Sequence, residues 1–186
     1  MIGYAFCGSF CTLSASVAQL RGLIDSGYDV LPIISRNVRT MDTRFYKADD
    51  FYREICEITG REPICTIEDA EPLGPKVKLE LLVICPCTGN TLAKIAAGIT
   101  DTPVCMAAKA HLRSDRPLLI ALSSNDALSA NMKNIGTLIE KKNVYFVPMK
   151  QDDPKNKPHS LVAELSLLPE AIPAAMEGKQ LQKLFC

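Results

Sequence analysis

Short apolar runs that alternate with helix-like segments constrain the fold of this chain more than any other feature. Strand-like composition recurs at residues 2–6, 29–34, 79–85, 117–122 and 144–148, and more weakly at 63–67. Such alternation predicts βαβ units around a mainly parallel sheet with helices on both faces. The run at 79–85 is almost wholly apolar, which is typical of a central strand covered on both sides. The sequence therefore predicts a doubly wound α/β fold.

Two helical segments have clear ends. Thr12 or Ser14 can cap the helix between the first two strands, and Gly27 ends it. A second helix is predicted from Asp49 to Gly60, with apolar residues on one face. Together with the strand pattern, these helices predict a three-layer sandwich of the flavodoxin or Rossmann type.

Composition narrows the class of protein. The chain has 186 residues, 47% of them hydrophobic, which is enough for one domain to bury a core without disulfides. Its 21 basic and 21 acidic residues balance, so no overall field favours nucleic acid or an anionic membrane. The eight cysteines follow no secretory leader, and no apolar run is long enough to cross a bilayer. We expect a cytoplasmic protein with reduced thiols and with small-molecule or protein partners.

The pattern weakens after residue 150. Residues 151–160 are polar and contain two prolines, which indicates an exposed loop. We therefore predict an α/β domain over residues 1–150, with residues 151–186 as a loop and short helical extension of the same domain.

Polar turns follow four of the predicted strands. The carboxyl ends of parallel strands meet at one edge of a sheet, where ligands of open α/β folds bind. Hydroxyls, glycines and free amides at such turns favour an anion such as phosphate, although each turn could simply cap the next helix. The candidate cofactor-binding residues are Gly8, Ser9, Phe10, Thr12, Ser35, Pro86, Thr88, Gly89, Asn90, Thr91, Ser123, Ser124 and Asn125.

Neither metal binding nor a nucleophilic triad is predicted. The cysteine spacings do not match a zinc site, and His111 and His159 are the only histidines. Cys11 and Cys87 lie in the candidate turns and could touch a ligand, but buried structural thiols are the favoured interpretation of the cysteines. No catalytic residue is identified.

A basic stretch offers a candidate site for an anionic substrate. Lys109, His111 and Arg113 lie in the segment before the fourth strong strand, and arginine suits bidentate carboxylate binding. A solvated surface stretch is the alternative interpretation.

The polar turns resemble those of the flavoprotein family that includes cysteine decarboxylases and the flavin prenyltransferase. The resemblance lies in Gly8-Ser9, in residues 86–101 (PCTGNTLAKIAAGITD) and in the turn at 123–125, and it spans residues 2–150. It implies FMN as the cofactor. The family's catalytic histidine has no counterpart in residues 68–73, which disfavours decarboxylation.

Within that family, four long segments resemble the B subunits of a two-subunit oxidoreductase of sporulating bacteria. They are residues 86–104, 106–113, 131–138 and 145–164. The resemblance implies an NAD(P)-binding A subunit as partner, a homo-oligomer, and oxidation of a dihydropyridine dicarboxylate in the mother cell. A non-catalytic scaffold that completes the partner's active site is the alternative.

Overall fold

The computed structural model describes all 186 residues and contains seven strands and eight α-helices. The strands are β1 (Ile2–Phe6), β2 (Val30–Ile34), β3 (Leu82–Cys87), β4 (Leu118–Ser124), β5 (Val144–Phe146), β6 (Met149–Lys150) and β7 (Leu161–Ala163). The helices are α1 (Leu13–Asp25), α2 (Arg36–Thr40), α3 (Ala48–Thr59), α4 (Ile67–Ala70), α5 (Gly89–Ala97), α6 (Pro103–Leu112), α7 (Met132–Ile139) and α8 (Leu168–Met176). No helix is long and apolar enough to span a bilayer.

The sheet is doubly wound and mainly parallel. Strands β2, β1, β3 and β4 are neighbours in that order, β5 joins the start of β4, and all these pairs are parallel. This 2-1-3-4-5 order is that of flavodoxin-like folds. The predicted fold class is confirmed. Beyond it, β7 pairs antiparallel with the end of β4, and β6 pairs antiparallel with β7.

The most apolar run forms the central strand, as predicted, but with different ends. All six residues of β3 are buried, and the strand pairs with β1 on one side and β4 on the other. It begins at Leu82, although Leu79 and Leu81 are also fully buried. Its register against β4 shifts between Ile84 and Cys87. The central position therefore follows from composition, whereas the strand ends depend on pairing.

Strand β2 lies at the sheet edge and tolerates Pro32. Its register with β1 is uninterrupted, and the Pro32 carbonyl accepts the Ile64 amide at 2.9 Å on the outer side. The missing proline N–H therefore faces the edge, where it interrupts no ladder bond with β1. Residues 63–67, the weaker strand candidate, contribute only an isolated bridge at Ile64 before α4 begins.

Helices cover both faces of the sheet and give three layers. One hydrophobic cluster joins the sheet to α5, α6 and α7, and a second joins it to α1, α3 and α8. Helix α8 buries Leu168 and Ile172 completely in the second cluster. The C-terminal segment thus packs against the same sheet as α1 and α3.

Candidate functional site

The four polar turns meet at the carboxyl edge of the parallel strands. They line three adjoining cavities of about 510, 490 and 530 Å³, which we call the polar, central and outer cavities. Twelve of the thirteen predicted cofactor-binding residues line at least one of them. Pro86 does not, because it lies inside β3, where its carbonyl accepts the Cys7 amide at 3.1 Å.

The polar cavity has the chemistry of an anion site. No hydrophobic side chain lines it; its lining residues are Gly8, Ser35, Arg36, Asn37, Thr88, Asn90, Thr91, Lys94, Asp101 and Thr102. Lys94 pairs with Asp101 at 2.8 Å, whereas Arg36 forms no ion pair, so two cations face one carboxylate. The lining carries a net positive charge.

Helix α5 begins at this cavity. The Thr88 hydroxyl caps the helix by accepting the Thr91 amide at 3.2 Å. The amides of Gly89 and Asn90 are the first two of α5 and have no acceptor within the helix. The Ser35 hydroxyl is buried in the same cavity and has no hydrogen-bond partner. Free donors and a net positive charge therefore converge where a phosphate would fit.

Three hydroxyls join the turn after β1 to the turn after β4. Ser9 lies 3.1 Å from Thr12 and 2.9 Å from Ser123, and Thr12 lies 3.0 Å from Ser123, between oxygen atoms. Thr12 occupies the N-cap position of α1, yet its side chain makes no cap bond. Its hydroxyl belongs instead to this triangle, which borders the outer cavity.

The turns after β3 and β4 are packed against each other. A Cβ atom at Gly89 would lie 2.5 Å from both the Ser124 hydroxyl and the Asn131 side-chain nitrogen. Asp126 accepts hydrogen bonds from Ser124 and, at 3.0 Å, from Asn131. These bonds lower the pKa of Asp126 below its usual value, and the bond from Ser124 has the larger effect. The carboxylate is therefore ionised at neutral pH, and a larger residue at position 89 would have to displace the hydrogen-bonded side chains of Ser124 and Asn131.

The cysteines at the strand ends near the cleft are buried, except Cys11. Burial raises the pKa of Cys7 to about 12 and that of Cys85 to about 11, and it also raises the pKa of Cys87. These thiols stay protonated. Cys87 is fully buried, whereas Cys11 is exposed and lines the central and outer cavities. No group of three or more potential metal ligands occurs.

The predicted substrate-binding residues lie elsewhere. Lys109 and His111 are in the last turn of α6, and Arg113 follows it. His111 is fully buried, with its Nε2 atom 2.7 Å from the carbonyl of Pro117, just before β4 begins. Burial lowers the pKa of His111. The basic stretch is therefore at the amino edge of the sheet, and the structure does not bring it to the cleft.

Several cleft residues were missed from sequence. They are Arg36, Asn37, Arg44, Phe45, Lys94, Asp101, Thr102, Asp126, Asp152, Lys157 and Val162–Leu165. Most follow no strand end of the predicted parallel sheet, so the turn pattern does not mark them. The last group reaches the cleft because Val162 pairs with Ser123 in the antiparallel β4–β7 ladder. The available signal was the resemblance, over residues 86–104 for Lys94, Asp101 and Thr102 and over residues 145–164 for the last group.

Known proteins are similar to this chain in sequence and in structure. A sequence profile described as Flavoprotein matches residues 2–177. The B subunit of dipicolinate synthase from Bacillus subtilis is 44% identical over 183 residues, which cover 98% of this chain and 92% of that protein. The crystal structure of the corresponding B subunit from Bacillus halodurans has a TM-score of 0.91 at 41% identity, over 100% of this chain and 95% of that one.

A more distant structure shares the fold alone. The FMN-dependent cysteine decarboxylase SpaF has a TM-score of 0.68 at 23% identity, covering 94% of this chain and 95% of that one. The likeness extends across nearly the full length of both chains.

Proposed function

Because the chain belongs to the Flavoprotein family, we propose that it is an FMN-binding B subunit of a dipicolinate synthase. In this proposal it forms a homo-oligomer and acts with an NAD(P)-binding A subunit. Together they oxidise dihydrodipicolinate to dipicolinate in the cytoplasm of the mother cell of a sporulating bacterium. Similarity to the Bacillus subtilis and Bacillus halodurans proteins across the chain supports this assignment.

The polar cavity is the observation that carries the cofactor proposal. Ser35 offers a buried hydroxyl without a partner, and α5 offers its first amides. With Thr88 and the Arg36 charge beside them, these groups would hold the FMN phosphate. Phe10 and the turn at 123–125 line the adjoining central cavity and would border the flavin ring.

The proposed oxidation requires positioning of the substrate more than acid–base catalysis. Oxidation of a dihydropyridine to a pyridine removes a hydride and a proton, and the aromatic product favours the reaction. Bound FMN or NAD(P)⁺ supplies the hydride acceptor. The turns would hold the substrate ring and exclude water. Asp126, a carboxylate whose pKa is held low, is a weak base and would act mainly by its charge.

A scaffold role is a second candidate. No histidine lines the three cavities, because His111 is buried at the amino edge and His159 lies in the exposed loop. The cleft thus lacks the side chain that most readily exchanges protons near neutral pH. This absence disfavours a flavin-dependent decarboxylase, and it is consistent with a chain that completes the site of its partner.

Titration of the purified protein with FMN, followed by visible absorbance, tests the cofactor site. We expect Ser35→Ala to weaken FMN binding about 10- to 100-fold, the usual value of a hydrogen bond to a charged group. Stability should hardly change, because the Ser35 hydroxyl has no partner to lose. The control is Ser26→Ala, whose hydroxyl bonds the Gly22 carbonyl at 2.7 Å at the far end of α1. Absence of FMN binding by the wild-type protein would contradict the proposal.

Reconstitution with the A subunit separates enzyme from scaffold. Dipicolinate formation from the dihydro compound is measured with each chain alone and with both together. We expect activity only from the pair, and loss of activity when FMN is removed. Activity that needs this chain but no flavin would support the scaffold. Full activity of the partner alone would rule out both roles.

A further inference from the structure

The loop between α2 and α3 carries an arginine that lines the central cavity. Thr43 closes a tight turn by donating its amide to the Tyr46 carbonyl at 2.8 Å, and its hydroxyl accepts the Tyr46 amide at 3.2 Å. The Tyr46 ring meets the buried Phe51 ring edge-on, with centroids 5.1 Å apart. Arg44 and Phe45 form the tip of this turn and line the central cavity. The core thus anchors the loop that carries them.

Arg44 differs in its pairing from most other cations of the cleft. Lys94 pairs with Asp101 at 2.8 Å, and Lys157 pairs with Asp152 at 2.9 Å. Arg36 is unpaired but lies in the polar cavity. Arg44 has no carboxylate within ion-pair distance, and its guanidinium lies 4.7 Å from the centre of the Phe45 ring. It is therefore the one unpaired cation of the central cavity.

Phe45 is an exposed aromatic ring at the same place. Its relative exposure is 45%, and of the exposed large apolar side chains it is the one that lines the cleft, so its ring is accessible to a bound ligand. The ring and the guanidinium together offer a flat apolar face next to a forked donor. Such a pair suits a planar ring that carries a carboxylate.

We propose that Arg44 binds a carboxylate of the substrate, and that Phe45 packs against the substrate ring. The inference rests on the proposed function, since it places an aromatic dicarboxylate in the cavity next to the cofactor. Asp126 lines the same cavity and is ionised, so it repels a carboxylate from the turn after β4. The anion is thereby directed to the side of Arg44.

Calorimetric titration with pyridine-2,6-dicarboxylate tests this assignment on FMN-loaded protein. We expect Arg44→Gln to weaken binding about 10- to 100-fold, as for the loss of a charge-assisted pair. The affinity of Arg44→Lys should lie between those of the wild type and Arg44→Gln, because lysine keeps the charge but loses the forked pair of donors. The affinity for pyridine itself, which has no carboxylate, should be the same in Arg44→Gln and the wild type. FMN affinity, titrated separately, should be unchanged in both variants.

Two further arginines make the test decisive. Arg53→Gln is the matched control, since Arg53 pairs with Asp50 on the exposed surface of α3. Arg113→Gln tests the stretch at the amino edge, and neither variant should change dicarboxylate affinity. Wild-type affinity in Arg44→Gln, or an equal loss in Arg113→Gln, would overturn the assignment. So would failure of the wild type to bind the dicarboxylate, even if FMN binding, and with it the cofactor proposal, is retained.

Discussion

The polar and outer cavities lie along one edge of the sheet but are built differently. The polar cavity comes mainly from the turns after β1, β2 and β3 with the helices that follow them, and Asp101 and Thr102 between α5 and α6 complete it. The outer cavity takes about half of its lining from residues 152–165, which reach it through the antiparallel β4–β7 ladder. One cavity is thus encoded mainly by local strand-to-helix turns, whereas the other depends on a distant part of the chain.

The largest expected effect tests whether the C-terminal segment belongs to the same cooperative unit. Ile172 in α8 and Ile55 in α3 are both 0% exposed and lie in the same hydrophobic cluster. We expect either isoleucine-to-alanine change to cost about 2–5 kcal/mol of unfolding free energy. Urea unfolding followed by circular dichroism should show a single transition in both variants. A separate early transition confined to Ile172→Ala would show that the outer cavity rests on an independent extension.

The next effect concerns the contact between the turn after β3, which borders the polar cavity, and the turn after β4, which borders the outer cavity. Gly89→Ala places a Cβ atom 2.5 Å from the Ser124 hydroxyl and the Asn131 side chain. We expect a loss of about 1–3 kcal/mol in stability, since overpacking displaces neighbouring groups. FMN affinity should fall as the start of α5 moves. Both quantities are measurable by urea unfolding and absorbance titration.

Gly136→Ala is the matched control for that change. A Cβ atom at this position in α7 would meet nothing within 4 Å. The substitution should stabilise the protein by about 0.5–1 kcal/mol, because alanine is the better helix residue. FMN affinity should be unchanged. Equal behaviour of the two glycine variants would contradict the close packing assigned to Gly89.

The smallest effect compares two aspartates of the cleft, Asp126 in the central cavity and Asp152 in the outer cavity. The pKa of Asp126 is lowered first by the Ser124 hydroxyl, whereas that of Asp152 is lowered first by Lys157. Salt screens a charge pair more than a neutral hydrogen bond. Added salt should therefore raise the pKa of Asp152 towards its ordinary value and leave that of Asp126 nearly unchanged. NMR titration of the carboxyl carbons at low and high salt would reveal the difference.

Both aspartates contribute to the acid response of stability with the same sign. Each has a folded pKa below its unfolded value of about 3.9, so its contribution to stability is present above that pH. The contribution is lost as the pH falls through the folded pKa. Asp126→Asn should therefore make stability less dependent on pH in this acidic range. An unchanged acid-unfolding profile would contradict this assignment.

The features of the fold and the site that could be predicted are those that neighbouring residues in the sequence encode. Strand β1 and the turns after the first four strands could be placed because apolar runs and polar turn residues lie next to each other in the chain. Local pattern could not place Arg44 and Lys157 at the cleft, because both lie in loops that follow no strand of the parallel sheet. The stretch at 109–113 had suitable charges, but α6 carries them to the amino edge.

The hydroxyl triangle of Ser9, Thr12 and Ser123 has a further consequence. Three O–H groups closed into a ring can donate in either direction around it, because any of the three oxygens can be donor or acceptor. If a ligand breaks one bond, one hydroxyl becomes free to donate outward and another free to accept. The cleft wall can therefore adapt its polarity to a bound group by turning hydrogens alone, without moving a heavy atom.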